Sequence, residues 1–211
     1  MANGLIPVIP SHVTPVKIPE GVQLYRVHAE KYGAVQFNPG SEGNARFSPI
    51  KNTGGEVIPT IYAGGTQDCA LMETLFHDVA FAPGYKTHSL SKLDGLVISE
   101  VVVRKELQLA DLRSKPLRKL GVTRVFLIES EASEYSRSRE YAEALYEACP
   151  EIQGLLWVSR QDDSALAMVL FEDRIPVNAL QQRGGSRSLR NDPATLEMVV
   201  NLAGMIGVDL T

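Results

Sequence analysis

Between Leu24 and Glu73, four polar side chains stand among apolar neighbours: Arg26 in LYRVH, Arg46 in NARFSP, Tyr62 in IYAGG and Glu73 in ALMETLFHD. Burying two cations and a carboxylate in one small domain is costly unless they face one another or a polar ligand. A polar cleft beside the apolar core would answer that cost. Two guanidiniums and one carboxylate converging on such a cleft suit a ligand that is anionic along its body and becomes cationic at its reacting end.

The 211 residues suffice for one well-buried core, so a single domain is expected. The net charge is −4 and the basic residues are scattered, which argues against direct nucleic-acid binding, where a basic stripe is usual. The nearest approach to a cluster, Arg183, Arg187 and Arg190, is interleaved with glycine and serine and reads as a solvated loop. Cys69 and Cys149 are too few and too far apart for a disulfide framework or a metal knuckle. Cys69 lies on an apolar helix face and reads as a buried, reduced thiol. The N-terminus shows no signal-peptide pattern, and no apolar run reaches the length of about 18 residues that a membrane span needs. A cytoplasmic protein with no membrane partner is expected.

Pro7, Pro10, Pro15 and Pro19 exclude helix and predict an extended arm over residues 1–20, lying on the domain or on a partner. Strands are expected at Gly21–Val27, Ala45–Ser48, Val57–Ala63, Gly95–Val103, Gly154–Ser159 and Ala165–Phe171. Thr66 reads as the N-cap of a helix from Gln67 to about Val79, whose apolar face carries Met72, Leu75, Phe76 and Val79. Glu73 and His77 fall at the border of that face, which puts the carboxylate at the rim of the core. Leu109–Leu120 reads as a strand end plus a helical turn, and Ser133–Cys149 as an amphipathic helix. A last helix runs from Asp192 as N-cap, with Pro193 at its first position, to Met205. The domain proper is read as residues 21–180, completed by a C-terminal loop and helix over 181–211. Strands and helices mix without regular alternation, so the fold class is α+β, a compact single domain with a mixed sheet.

Each candidate has a plainer alternative. Arg26, set mid-strand, is either paired to a nearby acid or forked onto a pyrophosphate, a geometry that arginine suits better than lysine. Arg46 follows a glycine-rich loop able to approach a ligand closely. Tyr62 is a core or edge tyrosine, or a ring stacked on a ligand. Glu73 is a helix-edge glutamate paired with His77 or an arginine, or the carboxylate that offsets developing positive charge when a glycosidic bond breaks. Ser159, ending GLLWVS, has no His or Asp partner at a nucleophile's spacing and reads as a hydrogen-bonding group. Glu73 and His77 lack a third metal ligand, and neither glycine pair forms a dinucleotide fingerprint.

Taken together these residues resemble the RES-domain family, named for an arginine, a glutamate and a serine. The resemblance runs from about Leu24 to Asp173. It rests on ARFSP, IYAGG…ALMETLFHD and GLLWVSR, with Arg26 lying 20 residues before Arg46 and Tyr62 lying 11 before Glu73. Val27 stands where some relatives carry an aromatic residue. Ala45 and Phe47 replace the Gly and Trp common around the arginine. The resemblance implies a fold similar to the ADP-ribosyltransferase toxins. It also implies a toxin that depletes NAD by hydrolysis or phosphorolysis of the nicotinamide–ribose bond. NAD is then substrate and no cofactor is needed, with phosphate a co-substrate in the phosphorolytic case. By the same resemblance Arg46, Glu73 and Ser159 are the catalytic set, Arg26 and Tyr62 hold substrate, and an Xre-type antitoxin covers the cleft. A protein ADP-ribosyltransferase and a non-catalytic nucleotide-binding module are the rival readings, and a homo-oligomer is compatible with the sequence.

Overall fold

The computed structural model describes residues 13–211. Pro7 and Pro10, with the first part of the expected arm, lie outside the described residues. Strands β1 (Pro15–Ile18), β2 (Gln23–Ala29), β3 (Ile50–Lys51), β4 (Val57–Ile58) and β5 (Thr60–Gly64) precede helix α1 (Gln67–Thr74). Then come β6 (Lys86–His88), β7 (Leu96–Val103) and β8 (Leu107–Asp111), and the helices α2 (Ser114–Leu120), α3 (Arg124–Leu127) and α4 (Tyr135–Ala148). Strands β9 (Gly154–Val158), β10 (Leu166–Phe171) and β11 (Leu180–Ser188) follow, before α5 (Pro193–Met205) and β12 (Val208–Leu210).

The unbroken apolar run LAMVLF of β10 is the pattern of a strand covered on both faces. It occupies an interior place in an eight-stranded sheet ordered β1-β8-β9-β10-β5-β2-β7-β11. Neighbours are antiparallel except β8 and β9, so the sheet is mixed. Alternation splits β10 between two cores. Ala167, Val169 and Phe171 join Leu155 and Trp157 of β9 beneath residues of α2, α3 and α4. Met168 and Leu170 join Leu24, Ile61, Val103, Leu107 and Leu156. That second cluster unites β8 with β7, strands far apart in the sheet order, so the sheet curls around it. A third cluster packs α1 and α5 against β2 and β7 through Leu71, Phe76, Val27, Ile98 and Val199. Gly154 is required where it stands, because a Cβ there would meet the carbonyl oxygen of Val169 at 2.2 Å. The result is a single α+β domain with a curled mixed sheet.

Several expected elements change form. Ala45–Ser48 is a tight turn closed by a hydrogen bond from Ala45 N to Ser48 O (3.1 Å), not a strand. Its apolar Phe47 is buried against Trp157 rather than in a ladder. Val57–Ala63 divides at Pro59, which has no N–H to donate, giving β4 and β5. The helix expected to reach Val79 ends at Thr74. His77 Nδ1 donates to the freed Thr74 carbonyl (2.9 Å), while Leu75 and Phe76 stay buried in irregular chain. Residues 181–188, expected as a loop, belong to the edge strand β11 on β7, with Gly184, Gly185 and Ser186 bulging opposite Ser99. Its arginines are exposed and engaged along the edge, Arg183 with Glu100 (3.2 Å) and Arg187 with Gln67 (3.2 Å). The described part of the arm is extended, and β1 lies antiparallel on β8 at the opposite edge.

Two further expectations, the cap of α5 and the burial of Cys69, hold in detail. Helix α5 begins at Pro193 with Asp192 as N-cap accepting from Thr195 N (2.8 Å). Cys69 and Cys149 are both buried and unpaired, and desolvation pushes the Cys69 thiol up to about 12. Among the described residues, no helix is long and apolar enough to cross a membrane.

Candidate active site

Glu73 is placed by the turn before its helix. Gly64 ends β5 so tightly against α1 that a Cβ there would sit 2.8 Å from Ala70 N. Thr66 caps the helix, its Oγ1 accepting from Cys69 N (3.0 Å). Glu73 follows one turn after Cys69, half-buried, at the border between core and cleft.

The chain leaving β9 reaches Glu73 from the other side. Ser159 is fully buried, and its hydroxyl donates to Glu73 Oε1 at 2.6 Å. The same Ser159 Oγ accepts from the backbone N–H groups of Gln161 (3.0 Å) and Asp162 (2.9 Å). Arg160 N–H adds a bond to Glu73 Oε1 (3.2 Å). One carboxylate oxygen is thus anchored to protein, and Oε2 makes no hydrogen bond among the described residues. Glu73 pairs with a hydroxyl and a backbone amide, not with His77 or a guanidinium. His77 turns instead to Asp78, at 3.1 Å.

Arg46 and Tyr62 act as a unit. The Tyr62 hydroxyl accepts from Phe47 N (2.9 Å), pinning the turn that carries Arg46. Burial holds this phenol protonated, well above the usual tyrosine range. Arg46, 8% exposed, donates through Nη1 to Ser130 Oγ (2.8 Å) and Ser130 O (3.2 Å), and through Nη2 to the Tyr135 hydroxyl (3.2 Å). Its guanidinium also lies over the Tyr135 ring, 4.6 Å from the centroid. Desolvation lowers its pKa. Tyr135 and Glu73 favour the cation, and Arg160 opposes it.

Arg26 has a different employment. Its Nη1 donates to three carbonyl oxygens, Gly33 (3.1 Å), Ala34 (3.0 Å) and Gln36 (2.8 Å), folding the glycine-rich loop back against β2. Burial pushes its pKa down to about 10, and among the described residues no acid pairs with it. It borders the cleft while acting as the clamp of a loop.

These residues meet around one cleft of about 350 Å³, lined by Arg26, Arg46, Tyr62, Glu73, Tyr135 and Arg160 among others. Ser159 sits behind it and acts on it through Glu73. Tyr135, Ser130 and Arg160 were not singled out in the sequence. Tyr135 reads there as one more residue of an amphipathic helix, and Arg160 as the charged end of a strand. Only the adjacency of Arg160 to Ser159 hinted at its place. Glu73 and His77 gather no third ligand, and no group of three His, Cys, Asp or Glu among the described residues is placed to hold a metal ion.

No curated protein matches the chain. A family model described as the RES domain matches residues 23–192, a span that contains Arg26, Arg46, Tyr62, Glu73 and Ser159 and every other cleft residue named above. With most of its length inside that match, the chain belongs to the RES-domain family.

Proposed function

We propose that this chain is a toxin-like enzyme that consumes NAD by breaking the bond between nicotinamide and ribose. The observation that carries the reading is Glu73, anchored by Ser159 and Arg160 N through one oxygen and free at the other, in a cleft that also holds buried arginine. Breaking the glycosidic bond sends the electron pair to nicotinamide, which leaves neutral, and puts positive charge on the ribose ring. A fixed carboxylate that accepts a ribose hydroxyl stabilises that charge more than it stabilises the ground state. Arg46 answers the pyrophosphate, with Arg26 shaping the adjoining loop, and Tyr62 fixes the Arg46 turn and borders the nicotinamide–ribose end. Water or phosphate then adds at the anomeric carbon and releases a proton. NAD is the substrate and the reaction requires no cofactor. The family supports the wider proposals of an ADP-ribosyltransferase-toxin-like fold, a cytoplasmic site of action and an Xre-type antitoxin covering the cleft.

The test is nicotinamide release from NAD by the full chain, with and without inorganic phosphate, beside a Glu73→Gln control. Release that requires Glu73 supports the reading, and ADP-ribose 1″-phosphate formed only with phosphate identifies phosphate as acceptor. Absence of release in both buffers overturns it.

A further inference from the structure

We propose that Arg46 and Arg160 together form a subsite for phosphate oxyanions, with Arg160 as its second cation. This deepens the NAD reading and rests on it for the choice of nucleotide probe.

The two guanidiniums meet on one atom. Arg46 Nη1 donates to the Ser130 carbonyl oxygen at 3.2 Å and Arg160 Nη1 donates to the same oxygen at 2.9 Å. Two like charges are thus held side by side on a neutral acceptor, beside a cleft and partly out of water. Such an arrangement costs free energy until an anion offsets it. The acceptors around Arg46 are a carbonyl and two hydroxyls, which engage its Nη1 and Nη2 without neutralising its charge. Glu73 favours the Arg46 cation through space, but it is bonded to Ser159 and to the Arg160 backbone N–H and makes no bond to either guanidinium. The carboxylate that does reach the pair is Glu131, 2.7 Å from Arg160 Nη2, and its side chain is 75% exposed. An exposed carboxylate on one arginine is a weak, displaceable partner.

The rest of the geometry keeps the pair ready for an anion. Tyr135 lies beneath Arg46 and fixes the plane of its fork. The Nε atoms of both arginines have no protein acceptor among the described residues, so donors remain. Tyr135 is also the first residue of α4, so the ring beneath Arg46 is held by a helix. Arg46 and Arg160 both line the cleft next to Glu73. A phosphate there takes planar, bidentate hydrogen bonds from two guanidiniums, the geometry for which arginine is suited.

Calorimetric titration of the full-length wild type, Arg160→Gln and Glu131→Gln with ADP, adenosine and inorganic phosphate at low salt tests this. Removing the Arg160 charge should weaken ADP binding by about tenfold or more and leave adenosine unchanged. Removing the competing Glu131 carboxylate should tighten ADP binding several-fold, a gain that misfolding cannot produce. Phosphate that binds wild type and is lost in Arg160→Gln shows a site open to the free ion. Binding of ADP alone, with the same Arg160 dependence, assigns it to the nucleotide-borne group. Equal ADP affinity in wild type and both variants, or no ADP binding at all, overturns the subsite. ADP binding through Arg160 without NAD turnover would sink the NAD reading and leave the subsite standing, whereas turnover with Arg160-independent ADP binding would do the reverse.

Discussion

The hydroxyl of Ser159 lies 2.6 Å from Glu73 Oε1, and its proton has one destination. Both remaining sites on that oxygen accept from the backbone N–H groups of Gln161 and Asp162. Ser159 is therefore a donor that orients a carboxylate, and its nucleophilic lone pairs are already spent. Ser159→Ala should lower kcat for nicotinamide release by about tenfold while KM stays nearly constant, because the lost bond acts on the transition state. Leaving two amides unpaired should cost about 1–3 kcal/mol of stability. Steady-state kinetics with a denaturation curve checks both, and a covalent adduct on Ser159 would refute the assignment.

Tyr135 supports Arg46 through ring and hydroxyl separately. Tyr135→Phe should keep the ring contact and change activity by a few-fold at most. Tyr135→Ala should raise KM for NAD by about tenfold, since a cation–π contact in a partly desolvated site is worth about 1–2 kcal/mol. Similar kinetics in the two variants would show that the ring carries nothing.

Tyr62 holds the turn through Phe47 N. Tyr62→Phe strands that part-buried N–H and should cost about 1–3 kcal/mol of stability. The loss should be accompanied by faster amide exchange at residues 45–48. Unchanged exchange there would detach Tyr62 from the placement of Arg46.

Arg26→Lys keeps the charge and loses the rigid guanidinium whose Nη1 reaches three carbonyls. Amide exchange over residues 33–38 should rise, with KM for NAD increasing more than kcat falls. A variant with wild-type exchange in that loop would restore Arg26 to a direct role on the ligand.

Buried His28 links stability to acid. Its Nδ1 donates to Ala29 O (3.0 Å) and its Nε2 meets the Ser99 hydroxyl (2.8 Å). Desolvation, reinforced by the charge of Arg26, lowers its pKa below the ordinary 6.5. The unfolded chain then takes up the proton first as pH falls, so this stability is whole above 6.5 and drains away below it. His88 shifts in the same direction by desolvation. The Tm should fall between about pH 7.5 and about pH 5.5, and fall less in His28→Gln. An equal pH slope in the two proteins would exclude His28 as its source.

What the sequence disclosed follows from where side chains are forced to face. β7, β9 and β10 are apolar on both sides, and α5 carries its own cap, so these elements read directly. Glu73, Ser159 and the buried arginines betrayed themselves by polarity in apolar company. The edge strand β11 left no such mark, because a strand with little burial carries no alternation to read. The turn at Arg46 was disguised as a strand by Phe47, whose burial comes from Trp157 across the core. The function of Arg26 was hidden for another reason. A guanidinium on three carbonyls leaves no complementary residue type in the chain, since every residue owns a carbonyl. Ser130 and Tyr135 lie 84 and 89 positions from Arg46 and meet it only after the helical layer has packed.

The bulge at Gly184–Ser186 has a consequence for how the molecule behaves in company. Among the described residues the curled sheet does not close on itself and leaves two borders with no further strand, and a long flat border is a template on which another chain can add a strand. On β11 the ladder is interrupted midway and flanked by charged side chains, while the opposite border is a short strand that opens with Pro15, which has no N–H to offer. Both borders are thereby poor templates for aggregation, and the sheet can expose them at little risk.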